Sequence, residues 1–167
     1  MRNIVRKALC LTMCLGLAVG AAGCRKKPAM WEDDDISTES RTASSYTFKV
    51  TTGDIVQVAL ADGSDAALAG DREGFAVLKD DVILAKGDFL SRIVANNKQA
   101  QFAPDKSYSC EDDGTFSFEA LNDQNKRQYV IIKPLEAEGT LVQLVSDNSM
   151  DDAKKALDML VITSKLS

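Results

Sequence analysis

Short alternations of apolar and polar residues, each closed by turn-forming residues, run through most of the chain after position 45. Tyr46, Phe48 and Val50 alternate with polar neighbours, Thr51-Thr52-Gly53-Asp54 turns the chain, and Val56, Val58 and Leu60 alternate again. A period of two on either side of a glycine-bearing turn predicts a strand, turn, strand unit. Residues 61–74 carry Asp62-Gly63 and Gly70-Asp71 and read as irregular, with a short helix over Ala66 to Ala69. Gly74 to Lys79 and Val82 to Lys86 predict two more strands around Asp80-Asp81. Gly87-Asp88 then offers a break and a helix N-cap. Phe89, Leu90, Ile93 and Val94 follow at helical spacing, which predicts a helix from Phe89 to about Asn97 with its apolar stripe laid on a sheet.

Gln99 to Cys110, with Pro104, reads as connection, and Thr115 to Leu121 alternates Phe116, Phe118 and Ala120 against polar positions as a half-buried strand does. Asn122 to Lys126 turns the chain. Gln128 to Lys133 is apolar on both alternations through Tyr129, Val130, Ile131 and Ile132, which predicts the strand at the middle of the sheet. Pro134 ends it, Glu136 to Gly139 turn, and Thr140 to Ser146 return as the partner in an antiparallel hairpin. The last element predicts a helix from Ser149 to Ser164. Ser149 caps it, Asp152 stands three residues on, and Ala153, Ala156, Leu157, Leu160 and Val161 share one face.

Together these elements predict one α+β domain over residues 46–167, an antiparallel sheet carrying a middle helix and a C-terminal helix. The order is similar to the PsbP-like fold, an α/β/α sandwich found in photosystem accessory proteins and many small bacterial lipoproteins. The resemblance rests on the Phe116 to Phe118 strand, Tyr129 to Ile132, Leu141 to Val145 and the closing segment Ser149 to Ser164. It implies a non-catalytic accessory or assembly role and carries no active-site residues with it.

The first 24 residues follow a different pattern. Arg2, Arg6 and Lys7 form a basic start, Ala8 to Val19 an apolar run too short to span hydrocarbon, and Gly20-Ala21-Ala22-Gly23 a small-residue site before Cys24. This resembles the bacterial lipobox, with Ala21 where that motif usually has a branched residue. The resemblance implies cleavage after residue 23, diacylglyceryl and palmitate modification of Cys24, and attachment to the cell membrane or an outer membrane with the domain outside the cytoplasm. Two or three acyl chains anchor stably where one binds marginally. Residues 24–45 read as an acidic tether without an apolar face, broken by Met30 and Trp31. Arg25-Lys26-Lys27 beside the lipid favours anionic head groups, though a solvated tether start reads equally well.

Charge and composition then narrow the chemistry. Three of the 20 basic residues and none of the 25 acidic ones lie before Cys24, so the remainder is a net −8, and nucleic acid is not an expected partner. An envelope protein or a small ligand is. Of four cysteines only Cys110 stays a free thiol, and it reads as a small buried residue, because Glu111, Asp112 and Asp113 beside it disfavour a thiolate. The absence of histidine removes Ser-His-Asp and Cys-His catalysis. Carboxylate chemistry, a Ser-Lys pair or oxygen-ligated metal remain open. Reading Gly114 as an EF-hand glycine puts Ser109 and Ala120 at the positions that need Asp and Glu. Asp62, Asp65, Asp71 and Glu73 are the better metal alternative, but solvated acidic loops are the preferred reading, and no cofactor is expected. The favoured function is a membrane-tethered binding module with no catalytic residue. The alternative is a hydrolase, which would show converging carboxylates such as Asp80 or Asp81 against Glu119.

Overall fold

The computed structural model describes residues 43–50, 53–71, 74–136 and 139–165. The expected export signal, Cys24 and most of the expected tether lie outside the described residues, as does Glu73. The element order is β1 (Ser45–Lys49), β2 (Ile55–Leu60), β3 (Ala67–Gly70), β4 (Phe75–Lys79), β5 (Val82–Ser91), α1 (Arg92–Phe102), β6 (Ser109–Cys110), β7 (Phe116–Leu121), β8 (Arg127–Pro134), β9 (Thr140–Ser146), α2 (Met150–Asp158) and β10 (Leu160–Lys165). Seven strands form one sheet in the order β3-β4-β5-β9-β8-β7-β6, and β1-β2-β10 form a second. Every strand pair among the described residues is antiparallel. The domain is therefore α+β and antiparallel, as the patterning predicts, but its strands divide between two sheets where one was expected.

The large sheet is covered on both faces, and β9 shows this in its side chains. All seven of its residues are buried. Val142 and Leu144 join a cluster with Phe48, Val56, Val58, Leu68, Phe75, Val77 and Ala156, the side covered by the small sheet and α2. Leu141 and Val145 join Ala95, Phe116, Phe118, Val130 and Ile132 on the side covered by α1. The middle strand is thus β9 and not β8, which stands one place further out. Both are apolar on each alternation, and only pairing order separates them.

Three further expectations are corrected. Ala66 to Ala69 is no helix. Ala67–Gly70 pairs with β4, and the small residues let Tyr46 of the second sheet lie directly on Gly70. Gly87-Asp88 does not break the chain either. Gly87 faces Phe75 across the β4-β5 pair, where a Cβ would run into the Phe75 ring, and β5 continues to Ser91. Phe89 and Leu90 therefore point to opposite faces, Phe89 to Phe48 at 5.1 Å between ring centroids and Leu90 to the α1 side. Ser91 caps α1 by accepting the Val94 N–H at 3.4 Å, and α1 leaves Ile93 74% and Val94 43% exposed. It holds the sheet through Ala95 and through Phe102, stacked on Phe118 at 4.0 Å. Third, the closing helix stops at Asp158, and Leu160–Lys165 is a strand paired with β2.

Two local readings do appear as drawn. Ser149 caps α2 by accepting the Asp152 N–H at 3.0 Å, and the buried Ala153 and Ala156 bring the helix close to the sheet. The β4-β5 turn is Asp80-Asp81, with φ of 50° and 61°, the paired left-handed conformation of a tight two-residue hairpin. The two sheets are also tied by a polar bond, since Thr140 Oγ1 donates to Asp54 Oδ2 at 2.8 Å in a buried setting.

Because the buried Phe75 ring has nowhere to move, Gly87→Ala is expected to destabilise the domain by about 1–3 kcal/mol, whereas Ile93→Ala should stay within about 0.5 kcal/mol of the parent. Urea unfolding midpoints of the two variants beside the parent check this. Equal midpoints would contradict the Gly87–Phe75 contact.

Candidate functional site

In β7, Phe116 and Phe118 point toward α1, so Ser117 and Glu119 face the other way. In β8, Val130 and Ile132 do the same and leave Ile131 and Lys133 on the side of Ser117, with Ser117 directly opposite Ile131 in the register. This is the face that α2 and the small sheet cover, but their cover thins out over β7 and β8. A groove of about 580 Å³ remains there. Its floor is Ser117, Ile131 and Lys133, and its walls are α2, through Lys154, Leu157 and Asp158, and β10, through Leu160, Val161 and Ile162.

The groove's charges are mixed. Lys133 Nζ stands 3.7 Å from Asp113 Oδ2. The Asp113 carboxyl is held below its ordinary range, chiefly by the Thr115 N–H donated to it at 2.8 Å and further by Lys133. Among the described residues Lys154 pairs with no carboxylate, while Glu111, Glu136 and Asp158 add acidic groups to the lining. Ser117 and Lys133 are a Ser and a Lys on one face, but the lysine is engaged with Asp113 and not with the hydroxyl.

The other face holds a half-buried carboxylate. Asp88 sits directly across from Gln143, which donates to Asp88 Oδ1 from Nε2 at 3.0 Å, while the buried Oε1 of Gln143 has no partner among the described residues. Burial pushes the Asp88 carboxyl above its usual range, against the smaller opposing pulls of the Gln143 bond and the Lys98 charge on α1. One raised carboxylate beneath α1, on the face away from the groove, offers no second group to share acid and base roles.

The residues singled out from the sequence are not gathered together. Asp65 binds Lys79 at 2.7 Å, and Asp71 accepts the Gly74 N–H at 3.0 Å to close its own turn. No group of three or more metal-ligating side chains occurs among the described residues, which include Asp62, Asp65 and Asp71 but not Glu73. Asp80 and Asp81 lie in the β4-β5 turn, whereas Glu119 is on β7, three strand positions from β5, and binds Arg127 at 3.3 Å. At roughly 4.8 Å per strand the two sites cannot meet. Cys110 is exposed and not buried, because β6 is a two-residue strand at the edge of the sheet, with no strand beyond it among the described residues. The groove was not foreseen. Its signal was the polar half of the β7 and β8 alternations, Ser117 and Lys133 with Ile131 between them, which reads as ordinary solvent facing until the cover is known.

Searches against family models, curated proteins and solved structures find no match. No helix among the described residues is long and apolar enough to cross a membrane.

With its pKa raised on folding, Asp88 contributes most stability below the ordinary carboxylate range and loses that contribution as the pH rises through the raised value. Asp88→Asn keeps an oxygen for Gln143 and removes the charge. It is expected to stabilise the fold by on the order of 1 kcal/mol near neutral pH and to lose that advantage by about pH 4, as read from thermal melts across the range. An advantage independent of pH would contradict the assignment.

Proposed function

We propose that this protein is a lipid-anchored envelope module whose domain binds a partner or ligand through the groove over β7 and β8. The observation that carries the binding half is the groove itself. It combines an apolar floor residue, Ile131, with apolar walls at Leu157, Leu160 and Val161 and a few charges at its lining, the composition of a recognition site. Its volume of about 580 Å³ is in the range of ligand-holding clefts. Catalysis is not part of this reading, and Asp88, whose carboxyl burial pushes up, lies on the face opposite the groove.

The anchoring half rests on the sequence alone: the basic start, the apolar run, the small residues and Cys24. Attachment to the cell membrane or outer membrane through Cys24, with the domain outside the cytoplasm, is the placement this implies. The PsbP-like assignment belongs to the same proposal and is supported by an antiparallel sheet bearing one helix on each face.

Cells expressing the full chain and fed an alkyne-bearing palmitate test the anchor. The parent should incorporate label and sediment with membranes, and Cys24→Ala should lose essentially all label. Label retained in the variant, or a mature N-terminus at a residue other than Cys24, would refute the lipobox reading.

A further inference from the structure

Each sheet has exposed edges, and a strand edge is a row of backbone donors and acceptors that invites another strand. Three of the four edges here are blunted. β3 is four residues long and β6 only two, and β1 is shielded where Ala43 donates to the Leu68 carbonyl at 3.2 Å and Tyr46 lies on Gly70. The fourth, β10, has six residues, no proline and no bulge, pairs only with β2 among the described residues, and leaves Val161 49% exposed.

The register says which of its backbone groups are open. Ala61 donates to the Met159 carbonyl at 2.8 Å, which makes Ala61 and Met159 a hydrogen-bonded pair at the head of the β2-β10 ladder. Bonded and non-bonded pairs alternate in an antiparallel ladder, so Val161 and Thr163 also bond β2, while Leu160 and Ile162 turn their N–H and C=O groups away from it. Leu60, opposite Leu160, accordingly donates the other way, to Ser44 of the β1 side at 3.4 Å. Leu160 and Ile162 line the groove. The wall of the groove is thus a strand edge with backbone pairing left unused.

We propose that the occupant of the groove is an extended segment of a partner protein that adds to β10 as a fourth strand of the small sheet, a proposal that rests on the reading of the groove as the binding site. Backbone bonds to Leu160 and Ile162 set its direction and register, and alternate side chains of the segment meet Ile131 on the floor and Leu157 on the wall. Lys154, which has no carboxylate partner among the described residues, takes one acidic side chain of the segment. Glu111, Glu136 and Asp158 in the same lining limit the acceptable acids to about one, since further carboxylates would face like charge. A second copy of this domain fits less well. Both copies carry the acidic surplus, which opposes their approach.

The test selects binders from a display library of random nine-residue peptides on the full chain in detergent, then follows amide hydrogen exchange on adding a selected peptide. The amides of Leu160 and Ile162 should be open in the free protein and become protected on binding, while those of Val161 and Thr163 are protected throughout. Ile162→Pro removes an outward donor without touching a β2 bond, and Ile162→Ala controls for the lost side chain, which packs on the core. The proline form should bind roughly tenfold more weakly than the alanine form, and Lys154→Glu should weaken acid-bearing peptides by a similar factor. Peptides that perturb Ile131 and Leu157 without protecting Leu160 and Ile162 would overturn strand addition while leaving the groove a binding site. No selected binder would overturn both. Concentration-dependent protection of the two amides in the protein alone would assign the edge to a second copy and overturn the peptide.

Discussion

A seven-stranded sheet has two broad faces to keep from water, and this chain has helices of only 11 and 9 described residues with which to cover them. Most of the architecture follows from that shortage. One face takes α1. The other takes α2 and, because a nine-residue helix is about 14 Å long and cannot cover four strands, a second small sheet laid beside it. The small sheet is assembled from both ends of the domain, β1 and β2 from its start and β10 from its finish, so the cover closes only when the ends meet. Where even this runs out, over β7 and β8, the polar halves of those strands stay accessible and the groove appears. The groove is a by-product of covering, placed where the cover is thinnest.

Cover made of short elements works only if they come close, and the sequence uses small residues for this. Ala153 and Ala156 seat α2, Ala95 seats α1, and Gly70 and Gly87 let the rings of Tyr46 and Phe75 lie flat on backbone. Around Phe75 the aromatic side chains of both sheets meet, with Phe48 and Phe89 each 6.0 Å from it between centroids. Tilted ring pairs at such distances add to their area burial. Asp54 and Thr140 supply a side-chain hydrogen bond between the two sheets, and it is buried. That bond fixes where one sheet lies on the other, which apolar contact alone leaves free to slide.

The strands were legible where one face is solvated and the other buried, as at Phe116 to Leu121, because period two leaves its mark directly. Caps and tight turns were legible too, at Ser149 and at Asp80-Asp81, where local chemistry decides local shape. What failed depends on partners distant in sequence. Leu157, Leu160 and Val161 satisfy a helical spacing, yet Leu160 and Val161 belong to a strand, since β2 offered an open edge and pairing outweighed continuation of the helix. Phe89 and Leu90 look like part of a helical stripe because two adjacent apolar residues fit either period, and a strand buried on both faces needs both of them. Gly87 reads as a break in isolation and as an accommodation once Phe75 is placed opposite. Cys110 reads as buried by residue type, but a two-residue edge strand has no outer layer to bury it. The groove is the extreme case, being defined by what does not lie above Ser117 and Lys133.

The pairing of β10 with β2 joins Leu160 to Leu60 and so couples the first part of the domain to its final strand. A chain delivered end first, whether from a ribosome or through a translocation pore, holds β1 and β2 for most of its passage with one edge unclaimed. Val56 and Val58, fully buried at the end, wait without their final neighbours. Contacts of such long separation are slow to form. The domain is therefore timed by its own final strand: the small sheet is complete only once β10 has arrived beside β2.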